Sequence, residues 1–67
     1  MMERQIEHSE WRIRQVTIAG KQMHQVYRLI DKYRVNAEGN RETRGGYYER
    51  FFDAEKLAAT LNAEETR

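Results

Sequence analysis

The sequence predicts an α+β fold, in which a small three-stranded antiparallel sheet carries a C-terminal helix packed on one face. Two observations lead to this prediction. Residues 11–18 and 23–31 are rich in β-branched and aromatic side chains and are separated by a short turn that contains Gly20, as in a β-hairpin. Residues 45–62 begin with a glycine pair and continue with an aromatic run and a run of good helix formers.

Length and composition limit what the chain can be. Its 67 residues suffice for one small domain with a modest core, expected over residues 11–62 between a frayed N-terminal stretch at 1–10 and a mobile tail at 63–67. The chain has no cysteine, so its stability must come from packing or from a partner. No apolar run is long enough to span a membrane and no signal-peptide pattern occurs, which favours a cytoplasmic location without a membrane partner.

The first predicted strand covers residues 11–18. Four hydrophobic side chains alternate with polar ones there, but the phase shifts by one residue between Ile13 and Val16. A bulge near residues 14–15 would place all four on one face, since one extra residue restores the register. The turn that follows is predicted around Gly20.

The second predicted strand covers residues 23–31, although two patterns compete there. As a strand, Tyr27 lies on one side and Val26 and Arg28 lie on the other; as a helix over 22–34, the apolar residues recur at helical spacing. We favour the strand because the segment VYRLI is β-branched and aromatic and follows another β-like run after a single short turn. The helix is the alternative.

The third strand and the helix are predicted in quick succession. Gly45 and Gly46 tolerate the positive φ that a tight chain reversal needs, and residues 46–52 form an aromatic-rich strand. Asp53 stands where an N-cap belongs, so the helix is expected over residues 54–62. Its apolar stripe, which must pack on the sheet, consists of Ala54, Leu57, Ala58 and Leu61.

The segments YRLIDKYRV, GNRE and GGYYERFFDAEKLAATLN, within residues 26–62, carry a resemblance. They resemble small bacterial domains of unknown function in which a hairpin and a glycine-rich turn lead to a final strand and helix. In the order of its elements the chain is also similar to the arm-binding domains of phage and transposon integrases, whose three-stranded sheet lies on DNA. This second similarity is one of topology, and it carries over no site residue.

We expect no enzymatic activity, cofactor or metal site. His8 and His24 are far apart in the sequence and lack the spacing of a zinc motif. Ser9 is the only serine, lies in the predicted frayed stretch and has no cysteine to replace it as a nucleophile. The glycine pair at 45–46 lacks the further glycines and the following lysine of a phosphate loop.

Basic residues are concentrated in the middle of the chain, where residues 11–50 carry nine Lys or Arg against four Asp or Glu. Arginines interleaved with aromatic side chains neutralise phosphates and stack on bases, which suggests nucleic-acid binding through the uncovered face of the sheet. The candidate residues are Arg12, Arg14, Arg28, Arg50 and one of Tyr47 and Tyr48. The alternative is an ordinary solvated face, whose arginines pair with the nearby Asp31, Glu38, Glu42 and Glu49.

The predicted function is a small non-enzymatic binding or accessory domain whose partner the sequence leaves open. Binding of DNA or RNA through the basic face is one alternative. A second alternative is an interaction domain that forms homodimers, in which a second copy covers an exposed strand edge or a tyrosine-rich patch. The expected oligomeric state is a monomer or a weak homodimer. Against that alternative, Trp11, Tyr27 and one of Phe51 and Phe52 are expected to form the core of a single copy.

Overall fold

The computed structural model of the chain describes residues 7–65. Within them the elements are β1 (Arg12–Ile18), β2 (Lys21–Leu29), a 3-10 turn (Glu38–Asn40), β3 (Arg41–Tyr48) and α1 (Phe51–Glu65). The strands form one antiparallel sheet in the order β1-β2-β3, and α1 packs on it, which confirms the predicted α+β fold. No helix in this part of the chain is long and apolar enough to cross a membrane.

The β1–β2 hairpin closes through a two-residue turn. Ile18 pairs with Lys21, and Ala19 and Gly20 between them have φ angles of 51° and 81°. Two consecutive positive φ angles are typical of a type I′ turn, whose twist matches that of the flanking strands. The turn at Gly20 and the strand assignment of the second segment are thus confirmed, and the alternative helix over 22–34 is wrong.

The predicted bulge at residues 14–15 is wrong. The pairing of β1 with β2 continues without a break from Arg12 opposite Tyr27 to Ile18 opposite Lys21. Because side chains alternate along a strand, Ile13 faces α1 and Ile18 lies on the opposite side of the sheet, where it is 40% exposed. The phase shift in the sequence therefore divides the hydrophobic side chains of β1 between the two faces.

The glycine pair forms a bulge inside β3, not the chain reversal that the sequence predicts. The register of β3 against β2 shifts between Gln25 and Val26, which leaves Gly45 and Gly46 as the extra residues. Gly45 has a φ of 74°, and a Cβ built on it would lie 2.6 Å from the Tyr48 hydroxyl oxygen. The backbone conformation and the packing both require glycine at position 45.

The C-terminal helix begins earlier and ends later than predicted. β3 ends at Tyr48, the chain bends over residues 49–50, and α1 begins at Phe51, so the strand predicted through residue 52 and the N-cap at Asp53 are both wrong. Asp53 lies in the first helical turn, where its carboxylate interacts favourably with the helix dipole. At the other end, α1 includes residues 63–65 of the predicted tail, while 66–67 lie outside the described residues.

The core lies between α1 and the covered face of the sheet. The predicted helix stripe is confirmed, since Ala54, Ala58 and Leu61 are buried and Leu57 packs against them. The prediction that one phenylalanine joins the core is wrong: Phe51 and Phe52 begin α1 outside its buried stripe and are 50% and 66% exposed. The members of the core are Trp11, Val26, Ala54, Ala58 and Leu61, with Ile13, Tyr48 and Leu57 packed against them.

The N-terminal segment is tied to the sheet before residue 11. Ser9 is buried; its N–H donates to the Leu29 carbonyl at 3.0 Å and its Oγ accepts from the Leu29 N–H at 2.7 Å. Glu7 forms an ion pair with Lys32 at 2.8 Å. Residues 7–10 are therefore held by the domain, and the rest of the stretch predicted to fray, 1–6, lies outside the described residues.

Candidate functional site

α1 covers one side of the sheet and leaves the other side, called here the open face, without a helix. Paired residues in neighbouring strands share a face, so the strand register assigns the members of each side. The open face carries Arg12, Arg14, Val16 and Ile18 from β1, Lys21, Met23, Gln25, Tyr27 and Leu29 from β2, and Arg41, Thr43 and Tyr47 from β3.

All charged side chains at the strand positions of the open face are basic. They are Arg12, Arg14, Lys21 and Arg41. The three strands contain one acidic residue, Glu42, and it lies on the covered face, opposite Arg28. The two sides of the sheet therefore differ in charge, and the open face is positive.

A row of three side chains crosses the middle of the open face. Arg14, Gln25 and Tyr47 lie opposite one another, one on each strand. The Arg14 Nε–H donates to Oε1 of Gln25 at 2.9 Å, and Gln25 itself is buried. Tyr47 is 51% exposed. The row thus places an oriented guanidinium and an accessible aromatic ring on the same surface.

Two of the four basic side chains have neutral partners. Among residues 7–65, Arg14 has no carboxylate within ion-pair distance and bonds only to Gln25. Arg41 donates from Nε to Oδ1 of Asn36 at 2.8 Å and from Nη2 to the Asn36 carbonyl at 3.2 Å, with its guanidinium 5.9 Å from the centroid of the Tyr27 ring. Both side chains are held in place without losing their charge.

The other two basic side chains are neutralised by carboxylates. Arg12 forms an ion pair with Glu10, which raises the pKa of Arg12 and lowers the pKa of Glu10. Lys21 pairs with Glu49 at 2.8 Å, and this contact lowers the pKa of the Glu49 carboxyl and raises that of Lys21. The uncompensated charge of the open face therefore lies at Arg14 and Arg41.

The structure brings together only part of the predicted site. Arg12 and Arg14 lie on the open face, as the sequence predicts. Tyr48 instead packs against the core from the covered face, so that of the two neighbouring tyrosines it is Tyr47 that lies on the open face. Arg50 is exposed in the bend between β3 and α1 and is not part of the sheet.

Arg28 is on the wrong side of the sheet for the predicted site. Its guanidinium lies 4.5 Å from the centroid of the Trp11 ring and forms ion pairs with Glu42 at 3.1 Å and Glu65 at 2.6 Å. The reason is alternation along β2: Tyr27 is opposite Arg12 on the open face, so the next residue must face α1. The ion pair of Arg28 with Glu42 agrees with the alternative interpretation of the sequence, in which the arginines pair with nearby acidic residues.

Sequence reasoning missed the other two basic side chains of the open face, Lys21 and Arg41, and also Gln25, which binds Arg14. Arg41 lies before residue 46, where the sequence predicts that β3 begins, and therefore falls outside the predicted sheet. Successive residues of the segment RETR lie on opposite faces of the sheet. This alternation is typical of a strand, and it is the signal that could have predicted a start of β3 at residue 41.

Residues with catalytic or metal-binding side chains make structural contacts. The Ser9 hydroxyl donates to the Glu10 carbonyl at 2.9 Å, and the His24 ring packs edge-on against Phe51 with the centroids 5.6 Å apart. Within residues 7–65, no three His, Asp or Glu side chains come close enough to hold a metal ion.

No family model, curated protein or solved structure matches the chain. The resemblance to integrase arm-binding domains stays a prediction, and the functional interpretation depends on the open face itself.

Proposed function

We propose that the chain is a non-enzymatic binding domain whose open face binds nucleic acid. The observation that supports this is the distribution of charge: four basic side chains and no carboxylate occupy the strand positions of the open face, and Arg14 and Arg41 among them have neutral partners. A cytoplasmic location, where nucleic acid is accessible, is part of the same proposal.

Phosphate is the group that suits these two arginines. A guanidinium that bonds to an amide has no anion beside it to compensate its charge, and its remaining N–H donors are free for a phosphate, whereas the charge of one that bonds to a carboxylate is already compensated. Arg14 uses only Nε on Gln25, so both of its terminal amino groups are available for one phosphate. Arg41 uses Nε and Nη2 on Asn36 and keeps Nη1.

Tyr47 supplies a second kind of contact. A half-exposed aromatic ring beside a basic side chain is a surface on which a base stacks, and such stacking contributes about 1–3 kcal/mol per base. Arg14 and Tyr47 are two strands apart, and at a strand spacing of about 4.8 Å they lie roughly 10 Å from each other. The row of Arg14, Gln25 and Tyr47 can therefore bind a base and a phosphate of the same nucleic-acid strand.

The test is fluorescence anisotropy with a short labelled single strand and the matching duplex, each titrated at low and moderate salt. We expect wild-type affinity to fall as salt rises, because bound phosphates release counterions. Arg14→Gln and Arg41→Gln should each reduce the slope of log affinity against log salt by about one. Tyr47→Ala should weaken binding of the single strand about tenfold and leave that slope unchanged.

Lys56→Gln is the matched control. Lys56 is exposed on α1, so this variant loses the same net charge away from the open face and should bind like the wild type. Equal losses for Lys56→Gln and Arg14→Gln would mean that net charge alone attracts the nucleic acid. Absence of binding at low salt would reject the proposal.

A further inference from the structure

The two edges of the sheet differ in how well they can accept another strand. The strand order β1-β2-β3 makes β1 and β3 the two edges of the sheet, and α1 packs mainly on the central strand β2. β3 is interrupted by the bulge at Gly45 and Gly46, and bulged edges are poor templates for pairing. β1 runs through residues Arg12–Ile18 with an unbroken register and contains neither glycine nor proline.

The chain covers the edge of β1 at one end only. The Asn62 side chain bonds to the backbone of Trp11 as a strand partner would: its Oδ1 accepts from the Trp11 N–H at 2.7 Å and its Nδ2 donates to the Trp11 carbonyl at 3.1 Å. Within residues 7–65 no such backbone contact covers the outer edge from Arg12 onward. The free part of the edge therefore coincides with β1.

We infer that β1 pairs antiparallel with β1 of a second copy, so that two domains form one continuous six-stranded sheet. A two-fold interface of this kind uses the same strand from both copies. With full overlap, Gln15 lies at the centre, Arg14 is opposite Val16 of the second copy, and Arg12 is opposite Ile18 of the second copy.

This register is favoured by charge. Like charges directly opposite each other destabilise a strand pair, and full overlap places an aliphatic side chain opposite every arginine of β1. A register shifted to centre on residue 14 would place Arg14 opposite itself. The pairing also covers Ile18, which is 40% exposed in the single copy, with the aliphatic part of an arginine side chain.

The consequence concerns the open face, which would continue from one copy into the other. Because the proposed two-fold axis is perpendicular to the sheet, the open faces of both copies lie on the same side. The dimer would then present Arg14 of both copies beside its centre and Arg12 of both copies at the two ends of the overlap.

Sedimentation equilibrium without nucleic acid tests the inference independently of the proposed function. The wild type should form a dimer between micromolar and millimolar concentration. Val16→Lys sets a cation opposite Arg14 twice in the dimer and should raise the dissociation constant roughly 2- to 30-fold, whereas Val16→Glu should lower it by a similar factor. Opposite effects at one position distinguish pairing from a loss of folding, and thermal melting followed by circular dichroism checks that both variants fold.

Thr43→Lys and Thr43→Glu are the matched controls. Thr43 is also on the open face, but on β3, away from the proposed contact, so both variants should dimerise like the wild type. A wild type that stays monomeric at all these concentrations would overturn the inference. So would equal weakening by both Val16 variants, or a response of the Thr43 variants that matches theirs.

Discussion

On the covered face Arg28 has two carboxylate partners and lies against Trp11, whereas on the open face Arg14 has one neutral partner, the Gln25 amide. The difference follows from solvation. A cation that leaves water needs carboxylates around it, and once it has them its charge is used within the fold. The half-buried Arg14 is only oriented by an amide, so its charge has no anion within the fold to compensate it. The difference in their partners, more than their positions in the sequence, is therefore the reason for assigning Arg28 a structural role and for proposing a binding role for Arg14.

The largest effect is expected on the covered face, at the bulge. In Gly45→Ala the new Cβ meets the Tyr48 hydroxyl and Leu57, and the backbone keeps a positive φ that alanine disfavours. Together these terms should lower the free energy of unfolding by about 3 kcal/mol. Urea denaturation measures the change.

Gly46→Ala is the control for the bulge, because a Cβ at that position has no neighbouring atom within 4 Å. It should change the free energy of unfolding by less than about 1 kcal/mol. Equal destabilisation by both variants would mean that any side chain disturbs the bulge and that the contact with Tyr48 is not what requires glycine.

The comparison of the two arginines is tested by the same substitution at both positions. Arg28→Met leaves Glu65 without its cation and Glu42 with only the longer contact to Arg44, and it should cost about 2 kcal/mol of stability, a value reduced because both carboxylates are partly solvated. Arg14→Met leaves only the buried Gln25 amide oxygen without its donor, so it should cost about 1 kcal/mol and weaken nucleic-acid binding as well. Chemical denaturation and anisotropy on the same samples give both values, and a large stability loss for Arg14→Met would contradict the distinction.

The hairpin turn offers a change that should affect neither face. Ala19 has a φ of 51°, which asparagine adopts more easily at this position of a type I′ turn. Ala19→Asn should therefore raise the free energy of unfolding by about 0.5–1 kcal/mol and leave affinity for nucleic acid unchanged. A decrease in the melting temperature would argue against the turn type.

The smallest expected effect concerns Arg12, whose charge Glu10 neutralises. Glu10→Gln should free Arg12 for phosphate, strengthen binding a few-fold and increase the salt slope by about one. Acidification should act in the same direction in the wild type. Because Arg12 lowers the pKa of Glu10, that effect should begin only below the usual glutamate range near pH 4. Unchanged affinity in the variant would exclude Arg12 from the interface.

The fold class could be predicted because its signals are local. The positive φ at Gly20, the β-branched residues of β1 and β2, and the helical spacing of Ala54, Ala58 and Leu61 each depend on a short segment. The structure at the glycine pair, residues 45–46, is harder to predict, since a chain reversal and a bulge both use glycine for its ability to adopt a positive φ. Only the register against β2 distinguishes them, and register is a long-range property.

The site could be predicted only in part for a related reason. Alternation shows that Tyr27 and Arg28 lie on different faces, but it does not show which of these faces the helix covers. The sequence pattern therefore cannot exclude Arg28 from the open face, and it misses Arg41 because β3 begins there, before the glycine-rich run that predicts it. The start of α1 at Phe51 could not be predicted, because the aromatic run favours a strand and Asp53 is the residue type expected at an N-cap.

The most direct test of the central claim is an NMR titration that follows the arginine side chains themselves. The Nε–H signals of Arg14 and Arg28 report on the open and the covered face within one sample. Addition of a short single strand at low salt should shift the signals of Arg14 and Arg41 and the ring signals of Tyr47, leave Arg28 unmoved, and lose these shifts as salt rises. Shifts confined to Arg28 and α1, or no shifts at low salt, would contradict the claim that the open face binds nucleic acid.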